Sequence, residues 1–137
     1  MAKKLSSVLF VFICAAMGAC TSVPEVVKER LVIQVSDDNP RTWGQAINVA
    51  DNLQKGYGAA NIQIELVAFG MGINMLKAEA LVASRLRDAD AAGVKVYACE
   101  NSMERFKLKR ADMVETVTYV EAGIQHIIAR SKEGWRP

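Results

Sequence analysis

Thiol chemistry is the first possibility this sequence raises. The chain has three cysteines, Cys14, Cys20 and Cys99. Cys14 lies inside an N-terminal apolar run and Cys20 follows that run, so Cys99 is the thiol of the segment patterned as a folded domain. A lone thiol forms no internal disulfide, and in an oxidising compartment it is either buried and inert or reactive. Cys99 ends a run of strand formers, Val94-Lys95-Val96-Tyr97-Ala98. It precedes Asn101-Ser102-Met103-Glu104, the pattern of a helix cap with Asn101 capping and Glu104 reaching back. Free N–H groups and the helix dipole favour an anion at such a place, and a thiol held there ionises more readily. Arg105, Lys107, Lys109 and Arg110 add positive potential, while Glu100 opposes it. The other reading stays open: free cysteine is among the most buried residue types, and Cys99 can be plain core.

Two further loops offer weaker chemistry. Gly70-Met71-Gly72, with Asn74 beyond it, can turn backbone N–H groups toward an anion, or can simply be a tight strand-to-helix turn. It is neither the dinucleotide glycine pattern nor a lysine-bearing phosphate loop. Ser36, Asp37 and Asp38 can act as paired carboxylates in acid–base work, or serve as loop and cap residues before Pro40. His126 is the one histidine. Its position on the last helix points it away from Val120, Ile124 and Ile128, toward solvent, which leaves no Cys–His couple and argues against a histidine metal site. No Cys-x-x-Cys pair is present. Neither a metal nor an organic cofactor is expected.

Positioning these residues requires alternating strands and helices. Leu31–Val35 reads as a strand, and Arg41–Lys55 as an amphipathic helix with Trp43, Ala46, Ile47, Ala50 and Leu53 on one face, ended by Gly56 and Gly58. Ile62–Phe69 is a second strand. Ala78, Leu81, Val82, Leu86 and Ala89 give a second helix closed by Gly93, and Val94–Ala98 is a third strand. Thr116–Val120 is a weaker fourth, and Val120, Ile124, Ile127 and Ile128 line one face of a final helix. This alternation predicts an α/β fold with a mostly parallel sheet covered on both faces. Ligands of such sheets bind beyond the carboxyl ends of the strands. That edge gathers three loops, Ser36–Asn39, Gly70–Asn74 and Cys99–Ser102. The candidate pocket is therefore Ser36, Asp38, Gly70, Gly72, Asn74, Glu100, Asn101 and Ser102 around Cys99.

The N-terminus is organised differently. Lys3 and Lys4 precede an apolar run from Leu5 to Ala16, followed by the small residues Gly18 and Ala19. This is the layout of a secretory signal over residues 1–19, and the run is shorter than the roughly 20 apolar residues of a spanning helix. Met17-Gly18-Ala19-Cys20 resembles a bacterial lipobox with Cys20 lipidated; ordinary cleavage after Gly18 is the alternative. Residues 20–29 read as a tether and 30–137 as one domain. The expected location is exported and periplasmic, with membrane attachment only through a lipid on Cys20. Of 17 basic residues Lys3 and Lys4 leave with the signal, so the remainder balances the 15 acidic ones. Such a neutral domain lacks the basic surplus of a nucleic-acid partner.

The segments Leu31–Ser36, Val67-Ala68-Phe69-Gly70-Met71-Gly72-Ile73-Asn74-Met75-Leu76 and Ala92-Gly93-Val94-Lys95-Val96-Tyr97-Ala98-Cys99-Glu100-Asn101-Ser102-Met103 resemble the DsrE/DsrF-like family. Gly134-Trp135-Arg136-Pro137 resembles its closing signature. The resemblance implies a three-layer α/β/α domain with a four- to five-stranded, mostly parallel sheet, commonly assembled as homo- or hetero-oligomers, with a homo-oligomer expected for this chain. In the family's sulfur-relay members a cysteine at this strand end carries sulfur as a persulfide between donor and acceptor proteins, and Cys99 matches it. The chain departs from the family in two ways: little sequence follows Trp135 to build a last strand, and the export signal separates the domain from any cytoplasmic acceptor. Two functions follow as expectations. One is a sulfur carrier that takes a persulfide from a protein or a small anionic sulfur species. The other is a non-enzymatic, oligomeric ligand- or partner-binding module in which Cys99 is structural.

Overall fold

The structure, a computed structural model, describes residues 29–137. The signal-like segment, the lipidation candidate Cys20 and the tether up to residue 28 lie outside the described residues.

Four strands, β1 (Glu29–Val35), β2 (Ile62–Ala68), β3 (Lys95–Cys99) and β4 (Thr118–Val120), form one parallel sheet in the order β1-β2-β3-β4. Glu29, expected in the tether, is instead the first residue of β1: it pairs with Ile62, and its N–H is donated to the Asn61 carbonyl at 3.0 Å. Side chains alternate across the strands. Val35, Ile62, Ile64, Leu66, Ala68, Val96 and Ala98 enter one large apolar cluster, shared with helices α1 (Pro40–Tyr57), α2 (Ala83–Ala91) and α3 (Glu100–Arg105). Val32, Val67 and Tyr97 face the other way and meet a single helix, α4 (Gly123–Lys132). The result is the three-layer α/β/α arrangement.

Local chemistry explains the elements. Asn39 caps α1 by accepting the Arg41 N–H at 3.0 Å, Pro40 takes the first helical position, and Gly58, at φ 85°, closes the helix in a conformation that favours glycine. The helix expected from Ala78 starts later, at Ala83, and Leu81 is 82% exposed rather than packed. The reason lies just upstream. Residues Gly70–Leu76 wind as a 3-10 helix that buries Ile73, Met75 and Leu76. The next backbone groups then pair with the 112–114 segment: Ala78 N–H donates to Asp112 and Val114 N–H to Leu76.

The C-terminal segment lies beside β1, where Arg136 N–H donates to Arg30 at 2.9 Å and Val32 N–H to Arg136 at 2.7 Å. This is one parallel bridge, Leu31 to Arg136, rather than a full fifth strand.

Helix α4 is rotated from the expected setting. Ile124 and Ile128 are about half exposed, while Gly123 and Ile127 are buried and His126 is turned inward. The expectation of a solvent-facing His126 is thus overturned. Its Nε2 lies 2.7 Å from Glu65 Oε2, and Arg130, one turn on, grips both oxygens of the same carboxylate. Glu65 is 3% exposed on β2, directly under α4. A buried carboxylate without partners is strongly unfavourable, so the polar side of α4 faces the sheet and two of its isoleucines face out.

Candidate functional site

Cys99 is both the last residue of β3 and the residue preceding α3. The helix therefore begins at Glu100, one residue before the expected Asn101 cap. No side chain caps it: Asn101 is exposed and its own N–H is donated to the Glu121 carbonyl at 3.1 Å. The alternation that turns Tyr97 toward α4 also turns Cys99 there. A Cβ added at Gly123 would stand 3.3 Å from Cys99 Cβ, 3.1 Å from Phe69 Cβ and 3.4 Å from Val67 Cγ1. Gly123 is thus the close-approach point that lets the α4 N-terminus meet the cysteine. Among the described residues Cys99 is the free cysteine, and it is 5% exposed.

The sulfur sits among donors. The neutral thiol has a weak acceptor in the Glu121 carbonyl, at 3.9 Å. Burial works against the thiolate and is the largest single influence on it. The Ser102 hydroxyl and the backbone N–H groups of Gly123, Ser102 and Asn101 together outweigh burial, and the Cys99 pKa lies below the ordinary thiol value. Among the described residues Ser102 is one of two buried polar residues, at 8% exposure, and its Oγ accepts the Gly70 N–H at 2.8 Å. That bond leaves the hydroxyl proton available to the sulfur.

The three predicted loops do meet at the carboxyl edge of the sheet. A Cβ at Gly72 would fall 2.2 Å from the Val35 carbonyl oxygen, and one at Gly70 3.5 Å from that of Ser36. Their amides are used internally, Gly70 N–H by Ser102 and Gly72 N–H by the Phe69 carbonyl at 3.0 Å, so this turn packs the loops together. Asn74 is half-buried, and its carbonyl accepts the Lys77 N–H. Ser36 and Asp38 are exposed, and the Asp37 carbonyl accepts the Trp43 indole N–H at 2.9 Å. Asn39, not an acidic residue, is the cap of α1. The Glu100 carboxylate is paired with Arg110, whose guanidinium also lies 4.3 Å from the Tyr119 ring.

Periodicity alone leaves Glu65, Gly123 and Arg130 unassigned and misplaces His126. Glu65 carried the signal: a carboxylate at an inward position of Ile64-Glu65-Leu66-Val67-Ala68, in a sheet covered on both faces, must find a cation or a proton. His126 and Arg130, four apart on one helix, are the matching donors. Among the described residues no group of three or more histidine, cysteine, aspartate or glutamate side chains is placed to hold a metal ion.

The DsrE/DsrF-like family model matches residues 31–136. A solved structure, the protein of unknown function MTH1491 from Methanobacterium thermoautotrophicum, is 28% identical, with a TM-score of 0.76 over 80% of this chain and 100% of that one. The ychN protein from E. coli shares the fold at 12% identity, with a TM-score of 0.60 over 80% of this chain and 94% of its own. No curated protein matches the chain.

Proposed function

The chain belongs to the DsrE/DsrF-like family, and from that premise we propose that it is a sulfur-relay protein that carries sulfane sulfur as a persulfide on Cys99. The observation that carries the reading is the setting of that sulfur, at the end of β3, immediately before α3 and against the α4 N-terminus at Gly123, where Ser102 and Gly123 hold its pKa down. A thiolate is the nucleophile in sulfur exchange, and these donors favour it against burial. In the forward step the Cys99 thiolate attacks the outer sulfur of a donor persulfide, R–S–SH. The Cys99 S–S bond forms, the donor S–S bond breaks, and R–S⁻ leaves. With thiosulfate the leaving group is sulfite. Attack by an acceptor thiolate on the outer sulfur then regenerates the Cys99 thiolate. Charge and electron count balance in each step, and no metal or organic cofactor takes part. The export-type N-terminus puts donor and acceptor outside the cytoplasm in this reading. Incubation with thiosulfate or a low-molecular-weight persulfide, followed by mass spectrometry of the Cys99 peptide, is expected to show the mass of one added sulfur, removable by dithiothreitol. An unmodified Cys99 under every donor condition, in protein whose Cys99 alkylates readily, overturns the proposal.

A second reading draws on the 5% exposure of Cys99. Here the domain is a binding or assembly module and the thiol is part of its wall. It predicts slow alkylation at neutral pH, and ligand or partner binding unchanged by Cys99→Ser.

A further inference from the structure

Glu65 is the one charged residue buried among those described, and Ser102, already at the sulfur, is the one buried uncharged polar residue. Arg130 Nε lies 3.0 Å from Glu65 Oε2 and another guanidinium nitrogen 2.9 Å from Oε1, while His126 Nε2 is 2.7 Å from Oε2. The imidazole lies against Tyr97 of β3, ring centroids 4.5 Å apart, and Arg130 is further tied to Glu133 at 2.8 Å. Gln63 of β2 and Lys95 of β3 line the cleft of about 410 Å³ beside this cluster, and Lys95 is itself 3.6 Å from Asp90.

Helix α4 runs from Cys99 at its first residue to this cluster at its second and third turns. Gly123 to Arg130 is seven residues, about 10 Å along the axis. Apolar packing on that face is thin. Ile127 meets Val32 and Val67, whereas Ile124 and Ile128 point away. Apolar burial is non-directional and sets the axial position of a helix poorly. Charge-assisted hydrogen bonds to a carboxylate fixed on a central strand are directional. At the other end the fit is tight, since a Cβ at Gly123 would crowd Phe69, Cys99 and Val67 at 3.1, 3.3 and 3.4 Å, so a small slide of α4 changes how its first residue meets Cys99.

Resting on the relay reading of Cys99, we propose that Glu65, with His126 and Arg130, forms a clamp of positioning residues that seats α4 on the sheet and so holds the helix N-terminus, at Gly123, against Cys99. None of the three touches the reacting atoms. They act through the helix.

The test is the pH dependence of iodoacetamide alkylation at Cys99, read on its own peptide by mass spectrometry so that Cys14 and Cys20 do not interfere. The full chain is compared with Glu65→Gln, with His126→Phe, which keeps a ring on Tyr97 and loses the donor, and with His126→Gln, which restores a donor. The midpoint of the profile reports thiolate formation and is independent of access to the sulfur. The expected result is an upward shift in Glu65→Gln and His126→Phe, seen as about three- to tenfold slower alkylation at pH 7, with His126→Gln close to the parent. If Glu65→Gln does not fold, the two His126 variants carry the comparison, because that side chain is partly exposed. A parent midpoint below the free-thiol value that stays put in folded His126→Phe overturns the clamp and leaves the relay reading standing. A parent midpoint at or above the free-thiol value overturns the relay reading, and the clamp with it.

Discussion

The two faces of the sheet are built on different physics. The face under α1, α2 and α3 is a continuous aliphatic core in which Ile47, Leu66, Ile73, Leu76, Leu86 and Val96 are all but sealed from water. The face under α4 has one small apolar cluster, a buried carboxylate held by the Arg130 guanidinium and the His126 imidazole, and the cysteine. The first face tolerates interchange of similar apolar groups, because its contribution follows area and volume. The second depends on geometry, because a buried ion pair is worth little net and a broken one costs much. Division of labour follows. One face supplies stability, and the other fixes where a helix end meets a sulfur atom.

The largest expected effect breaks the first face and spares the second. Leu86→Ala leaves a cavity in a fully buried position and should lower the unfolding free energy by about 3–5 kcal/mol in urea denaturation, with the alkylation midpoint of Cys99 unmoved in the folded fraction. A moved midpoint would show that the two faces are coupled through the sheet.

Glu65→Gln reverses the pattern. Removing the carboxylate strands Arg130 beside a neutral amide. Arg130, with a quarter of its side chain exposed, recovers some hydration, so the cost lies near the low end for a broken buried pair, about 3 kcal/mol. Here the cysteine profile should move along with stability, which separates this variant from Leu86→Ala.

Cys99 itself has a smaller effect on stability and a signed one with pH. Its folded pKa is below the unfolded value, so between the two values the unfolded chain binds more protons and stability rises with pH. The thiolate's contribution is therefore complete above the unfolded-state pKa, near 8.5, and lost as pH falls through the folded one. The stability difference between the parent and Cys99→Ala should widen from pH 7 to pH 9. A flat difference would mean that the donors around the sulfur do not favour the anion in solution.

Much of this was legible in the sequence on the first face and little on the second. Strand β2 and helix α1 follow from β-branched runs, Pro40 at a helix start, and apolar spacing at Trp43, Ala46, Ile47 and Ala50. The carboxyl-edge meeting of the 36, 70 and 99 loops follows from parallel order alone. On α4, apolar spacing gave Ile124, Ile127 and Ile128 as the inner face; Ile127 is there, but a buried carboxylate on a strand 59 residues earlier than Ile124 turned the helix so that Ile124 and Ile128 face out. Local patterns do not see a carboxylate across the sheet. The second helix began late for a related reason, since backbone pairing of residues 76–78 with residues 112–114 is non-local.

The outward isoleucines give the smallest prediction, and the sharpest on what the second face meets. Ile128 is 51% exposed on the side of α4 away from Glu65, and a lysine there keeps the helix former and the inner contacts. For a monomer, Ile128→Lys should change stability by no more than about 0.5 kcal/mol and leave the Cys99 midpoint where it is, because the clamp acts on the opposite side of the helix. A larger loss, with a parent stability that rises with protein concentration and a variant stability that does not, would mean that α4 is covered by another copy in solution. Sedimentation of both proteins at two concentrations separates the cases. It also decides whether the rotation that turns His126 and Arg130 toward the sheet serves the sulfur alone or presents an apolar strip for assembly as well.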